Sequence, residues 1–146
     1  MGQQVEATVQ RLRRFARALT HDTNSADGLV LEALAATEDK RIDFHRLLTF
    51  IIARRRDQEE VLTHLRQTRP ALKTGIRPDI LRVFEHLSLQ DREVIALISV
   101  ERLSYEEAAS VLALREEALI ARLTRARAAF ARQIDGERHA ILRVVK

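Results

Sequence analysis

Residues 103–132, LSYEEAASVLALREEALIARLTRARAAFAR, hold two helical patterns separated by a tight Ala113-Leu114-Arg115 connection. That spacing accommodates little other than a helix-turn-helix. Ser104 followed three residues later by Glu107 forms a capping box, which satisfies the orphan N–H groups of a helix start. Ala108, Ala109, Val111 and Leu112 supply the apolar side of the short first helix. On the second helix Leu119, Leu123, Ala126, Phe130 and Ile134 recur at spacings of four, three, four and four, one buried stripe. Arg115, Arg122, Arg125 and Arg132 fall off that stripe. A guanidinium makes planar two-point contacts with phosphate and guanine, so this unit points to nucleic acid. The bland alternative is a solvated, arginine-rich helix surface.

The rest of the chain is helical too. Val5, Val9, Leu12, Ala16 and Leu19 mark a helix over about 4–19, with Arg11, Arg13, Arg14 and Arg17 around it. Ser25 is placed to cap a second helix, 26–36, with Leu29, Val30, Ala33 and Leu34 inside, and the polar stretch 37–41 ends it. Asp43 caps a longer third helix carrying Phe44, Leu47, Leu48, Ile51 and Ile52 and running through Arg54-Arg55-Arg56 towards Leu65. Phe44 and Phe50 sit on its apolar side and read as core. Between 67 and 78 periodicity fails, and both prolines fall there, the signature of a linker. Pro78 suits the first position of a helix to about His86, carrying Ile80, Leu81 and Phe84. Ser88 with Asp91 caps the next, which runs to Val100 around Val94, Leu97 and Ile98. The fold class is therefore all-α: two small helical domains, 1–66 and 79–135, a linker at 67–78 and a tail at 136–146.

Composition narrows the chemistry. Of 146 residues 46% are hydrophobic, enough for a packed core, while four glycines and two prolines argue against an all-β architecture. The absence of cysteine removes disulfides, thiolate metal sites and a thiol nucleophile. Five scattered histidines form no ligand-spaced pair, and the glycines are isolated rather than arranged as a phosphate loop. No metal, no cofactor and no catalytic residue is expected, so the chain does not read as an enzyme. Its start, MGQQVEATVQ, lacks the basic and apolar regions of a secretory signal and misses the myristoylation pattern. With no apolar run of spanning length, a cytoplasmic protein without membrane insertion is expected. The net charge is +4, with basic residues mostly arginine.

Three strings carry a family resemblance. RLRRFARALTHDTNSADGLVLEAL (11–34) is similar to the opening helices of the extracytoplasmic-function sigma factors of bacterial RNA polymerase, which end in a DDLVQE-like string. RIDFHRLLTFIIARRRDQEE (41–60) resembles the helix that family uses at the minus-10 element, with its RAWLFTIARN-like core. LSLQDREVIALISVERLSYEEAASVLAL (87–114), within 79–130, resembles the minus-35 reader. The nearest subgroup is the general-stress type of alphaproteobacteria. The resemblance implies a sigma2-like and a sigma4-like domain, with core RNA polymerase, promoter DNA and an anti-sigma factor as partners. It places polymerase binding on Asp27, Leu29, Val30 and Glu32, and minus-10 phosphate contacts on Arg54, Arg55 and Arg56. Minus-35 recognition falls to Arg115, Glu116, Arg122, Arg125 and Arg127, of which Arg122, Arg125 and Arg127 match the family's SR…RAR positions.

The chain also departs from the family. Gly28 stands where an acid is usual and Leu31 where glutamine is usual. The family opens its recognition helix with a Gly-Thr-Val string, whereas here Glu116 and Glu117 occupy that end. Two carboxylates there favour the helix dipole but repel a phosphate, although a glutamate can accept from cytosine N4. Aromatic residues make up 4% of the chain and tryptophan is absent, so base stacking is poorly supplied. These departures keep a second function open: a sigma-like mimic that binds an anti-sigma factor instead of promoter DNA. Mimics of that kind share the RFARALT-like opening (14–20) but carry a receiver domain, which this sequence does not contain.

Overall fold

The computed structural model describes residues 2–20, 22–37, 43–66 and 80–145, of which 62–66, 80–82 and 137–145 by backbone alone. Among the described residues all regular structure is helical: α1 (Gly2–Leu19), α2 (Thr23–Ala36), α3 (Phe44–Arg66), α4 (Ile80–Glu85), α5 (Leu89–Ile95), α6 (Tyr105–Leu112) and α7 (Glu116–Val145). The all-α expectation is met. The linker expected at 67–78 lies outside the described residues, as does Pro78.

Local chemistry sets the helix ends. Asp43 caps α3 by accepting from the His45 N–H at 3.1 Å, and Ser88 caps α5 by accepting from the Asp91 N–H at 3.2 Å. The Ser104–Glu107 capping box is formed in both directions, at 3.0 and 3.1 Å. At α2 the expectation fails. The cap is Asp22, whose carboxylate accepts the Ser25 N–H at 2.6 Å and the Ser25 hydroxyl at 2.9 Å. Ser25 is thus the third helical residue and the donor to the cap, and α2 starts three residues earlier than a Ser25 cap would give.

The helix predicted to run from Ser88 to Val100 also changes character. After Ile95 it widens into a π-turn, Ala96–Val100, closed by the Glu101 N–H donating to the Ala96 carbonyl at 3.0 Å. Arg102 then takes a positive φ of 55°, and the Leu103 N–H reaches back to the Leu97 carbonyl. Ala113 ends α6 at φ 54°, a left-handed closure in which its N–H meets the Ala109 and Ser110 carbonyls. At the other end of the chain α7 continues through Gly136 to Val145, so residues read as a tail belong to its helix.

In the first half α1, α2 and α3 pack on one another; in the second, α7 lies against α4, α5 and α6. The halves are closed together, α1 against α4, α5 and the π-turn, and α3 against α5 and α6. One apolar cluster runs through both, from Leu12, Phe15 and Leu47 to Leu97, Leu119 and Leu123. The predicted α1 stripe begins late: Val5 is 48% exposed, while Leu12, Ala16 and Leu19 are sealed together with Phe15. Phe44 and Phe50 pack against the cluster as partly buried residues, and Phe84 meets Phe130 edge-on at 6.2 Å between ring centres.

Two outcomes follow from this geometry. A Cβ at Gly28 meets nothing within 4 Å, and its backbone is helical. Gly28→Ala is therefore expected to stabilise the chain by up to about 1 kcal/mol in chemical denaturation, the intrinsic cost of glycine within a helix. Glu107 has its pKa lowered from 4.5, first by the Ser104 N–H and hydroxyl, with smaller help from His45. Its stabilising contribution is full above the ordinary value of 4.5 and is lost as pH falls through the lowered one. Melting temperature measured across acid pH should fall less steeply for Glu107→Gln than for the parent chain in that window.

Candidate nucleic-acid and polymerase interfaces

The helix-turn-helix presents its cations as the α7 register requires. Leu119, Leu123 and Ala126 are sealed in the core, and Phe130 and Ile134 are partly buried. Arg115, Arg125 and Arg132 are exposed and Arg122 half-buried. A cleft of about 460 Å³ between the start of α5 and α7 brings together Arg122, Arg125 and Arg132, with Gln90 and Asp91 on the opposite wall. Arg127 is exposed but two residues on from Arg125, about 200° around the helix, so it points away from that cleft. Glu116 and Glu117 are exposed in the first turn of α7, with Arg115 just before them. The minus-35 candidates therefore divide into an arginine cleft, an acidic helix start and the separate Arg127.

The arginine run on α3 is placed differently from a free basic surface. The Arg54 Nε donates to the Glu32 carboxylate at 2.7 Å, an exposed pair that holds the Arg54 pKa above its ordinary value. Arg55 is only 2% exposed; its guanidinium donates to the Leu19 carbonyl and pairs with Glu59 at 2.8 Å. It is an internal tie between α1 and α3, and in this arrangement it offers nothing to a phosphate. Arg56 makes a two-point contact with Glu93 of α5, Nε to Oε1 at 2.8 Å and NH2 to Oε2 at 2.7 Å. That hydrogen bond raises the Arg56 pKa.

The four polymerase candidates on α2 divide similarly. Leu29 and Val30 are 1% and 3% exposed and belong to the core, so they cannot present themselves to a partner. Asp27 pairs with Arg13 at 2.9 Å and Glu32 with Arg54. The apolar residue that α2 does present is Leu31, 68% exposed. The 3.6-residue repeat explains this: Leu29, Val30 and Ala33 share the inward face, and Leu31 falls opposite.

Several residues at the junction of the halves were not anticipated. Glu93 is fully buried and Glu101 is 5% exposed, and each is met by an arginine from the first half. Arg11 donates from Nε to Glu101 at 3.2 Å while its guanidinium lies 4.1 Å over the Phe44 ring. Burial raises the Glu101 pKa despite Arg11 and Arg14 nearby. His45 and Glu107 add a third link at 3.2 Å between partly exposed side chains. The available signal was spacing: Glu93, Leu97 and Glu101 lie four apart, which puts two acids in line with a core leucine.

A family model for the sigma2 domain of PhyR matches residues 5–49, and one for sigma-70 region 4 matches residues 77–130. The two models identify a sigma2 domain and a region 4 domain of the sigma-70 family, in that order along the chain. This is a regulatory family, not an enzymatic one. Similar solved structures include the sigma factor RpoE of Bartonella quintana, in complex with the anti-sigma factor NepR. It has 22% identity and a TM-score of 0.72, over 92% of this chain and 96% of that one. Another is CnrH in complex with the cytosolic domain of CnrY, with 24% identity and a TM-score of 0.68, over 92% of this chain and 87% of that one. No curated protein matches the sequence. Among the described residues no helix is long and apolar enough to cross a membrane.

The α7 geometry predicts a division among the arginines. Arg122→Ala with Arg125→Ala should lower the salt dependence of duplex binding by close to two phosphate contacts, about 0.9 in log–log slope for each. Arg127→Ala alone should leave the contribution of the cleft intact. Equal effects from Arg127→Ala and from the cleft pair would place the DNA face elsewhere on α7.

Proposed function

We propose that this chain is a sigma factor of the extracytoplasmic-function type, directing core RNA polymerase to promoters and held by an anti-sigma factor until released. The observation that carries this reading is the coexistence of two sigma modules in the family order with an outward-facing arginine cleft on the recognition helix. In this reading the cleft of Arg122, Arg125 and Arg132 grips minus-35 phosphates, with Arg115 and Glu116 at the base edges. The surface of α2 around Asp27, Leu31 and Glu32 meets the polymerase, and Arg54 and Arg56 serve the minus-10 region once freed from their carboxylates. Leu31 takes over the apolar contact that Leu29 and Val30, being internal, do not provide. A general-stress role and a cytoplasmic location go with this assignment. So does the absence of any catalytic activity.

A second reading, a mimic that occupies an anti-sigma factor without initiating transcription, is favoured by one observation. Every cation of the α3 run is engaged by a partner within the chain. Promoter-dependent transcription with purified core polymerase separates the two. The sigma reading expects specific initiation that depends on this protein. No initiation, together with tight binding to an anti-sigma factor, would establish the mimic.

A further inference from the structure

The contact between Arg56 and Glu93 joins two domains, and it consumes the edge of the guanidinium that recognises phosphate. Nε and NH2 form the face of an arginine best suited to two-point binding of an oxyanion, and both are taken by the two oxygens of Glu93, at 2.8 and 2.7 Å. The Glu93 side chain has no exposure to water, whereas that of Arg56 is 45% exposed. The cation thus lies at the rim of the junction, and the anion lies within it. A second pair repeats the polarity: Glu101, its side chain 1% exposed, is held by Arg11, 43% exposed. In both cases the first half supplies a rim arginine and the second half an interior carboxylate.

We propose that Glu93 acts as an internal stand-in for a DNA phosphate, so that closure of the two halves and phosphate binding by Arg56 exclude one another. The proposal rests on the reading of Arg56 as a minus-10 cation. It adds that the chain masks this cation itself, with its own second domain. Opening the halves returns Glu93 to water and exposes the guanidinium edge. An added duplex competes with Glu93 for that edge and pulls the equilibrium towards the open form. The neighbouring Arg55 has no such freedom, because it is anchored within the first half to the Leu19 carbonyl and Glu59.

The full chain offers a clean assay because it contains no cysteine. Thr49→Cys on α3 and Ser110→Cys on α6, both at exposed positions, allow a donor–acceptor pair to report closure across helices that pack together. The binding probe is a short random-sequence duplex, titrated over a range of salt. Glu93→Gln should lower transfer efficiency and steepen the log–log salt dependence by about 0.9, the equivalent of one phosphate. Glu60→Gln, at an exposed position of α3, makes the same change in net charge and should do neither. Adding Arg56→Gln to Glu93→Gln should abolish the gain in slope. The exchange of Arg56→Glu with Glu93→Arg should restore transfer efficiency without restoring that gain. If Glu93→Gln behaves like Glu60→Gln, or if the gain survives Arg56→Gln, the proposal is overturned. Transcription with core polymerase reports on the sigma assignment separately: a chain that initiates but shows no effect of Glu93→Gln rejects only the masking.

Discussion

A carboxylate withdrawn from water must be neutralised where it lies, and Glu93 is the point in this structure where that requirement reaches across the molecule. Its charge is met by Arg56 from the opposite half, through the strongest geometry an arginine offers a carboxylate. Removing one partner of a buried pair commonly costs about 3–5 kcal/mol, because the survivor is left uncompensated. The partial exposure of Arg56 reduces that figure, since water screens its side of the pair. The requirement still fixes how α5 lies against α3. The π-turn that follows α5 then brings Glu101 to Arg11. Between the two pairs the apolar cluster passes from one half to the other without a break. Closure thus combines a nonspecific apolar contact with two buried-carboxylate pairs that specify its register, beside the more exposed His45–Glu107 link.

The same contacts determine which surfaces are left for other molecules. On α7 the arginine cleft opens on the side of α5 that carries Gln90 and Asp91, and the ion pairs of the junction do not involve it. The α3 run is instead used up internally, Arg55 for the fold and Arg54 and Arg56 by acids that could be displaced. Glu32 is among those acids, and it lies on the helix proposed to meet the polymerase. A basic group that took over Glu32 would release Arg54 at the same time. One exposed ion pair, worth little in stability, would then link the polymerase surface to the DNA surface.

Much of the architecture was legible because it rests on local rules. The capping box at Ser104, the caps at Asp43 and Ser88, and the stripe from Leu119 to Ala126 depend on residues within a turn or two of one another. The errors were also physical. Ser25 reads as the cap of α2, but the carboxylate of Asp22, three residues earlier, takes that place and the Ser25 hydroxyl becomes its donor. The family resemblance places Leu29 and Val30 on a binding surface, whereas the helical repeat turns both inward and Leu31 outward. Arg55 read as one of three equivalent cations, yet successive helical residues are about 100° apart, so three in a row cannot share a face. The partners of Glu93 and Glu101 were beyond a local reading. The spacing of both acids around Leu97 marked them as buried, but nothing nearby in sequence named Arg56 or Arg11.

The acidic start of α7 bears on how the recognition helix would work. The N-terminus of a helix ordinarily offers an oxyanion unpaired N–H groups and a partial positive charge. Glu116 and Glu117 place negative charge at that end, which stabilises the helix and makes the end unattractive to phosphate. Affinity for a DNA backbone would then come from Arg122, Arg125 and Arg132, which begin about one and a half turns further along. Cations at that distance seat a helix by its middle, and the exposed carboxylates at its start then meet base edges, where cytosine N4 is a donor and phosphate is absent. The feature that departs most from the family pattern is therefore compatible with DNA binding only if α7 docks by its arginine cleft. In that geometry the departure becomes a source of sequence preference, because a glutamate penalises bases that present only acceptors.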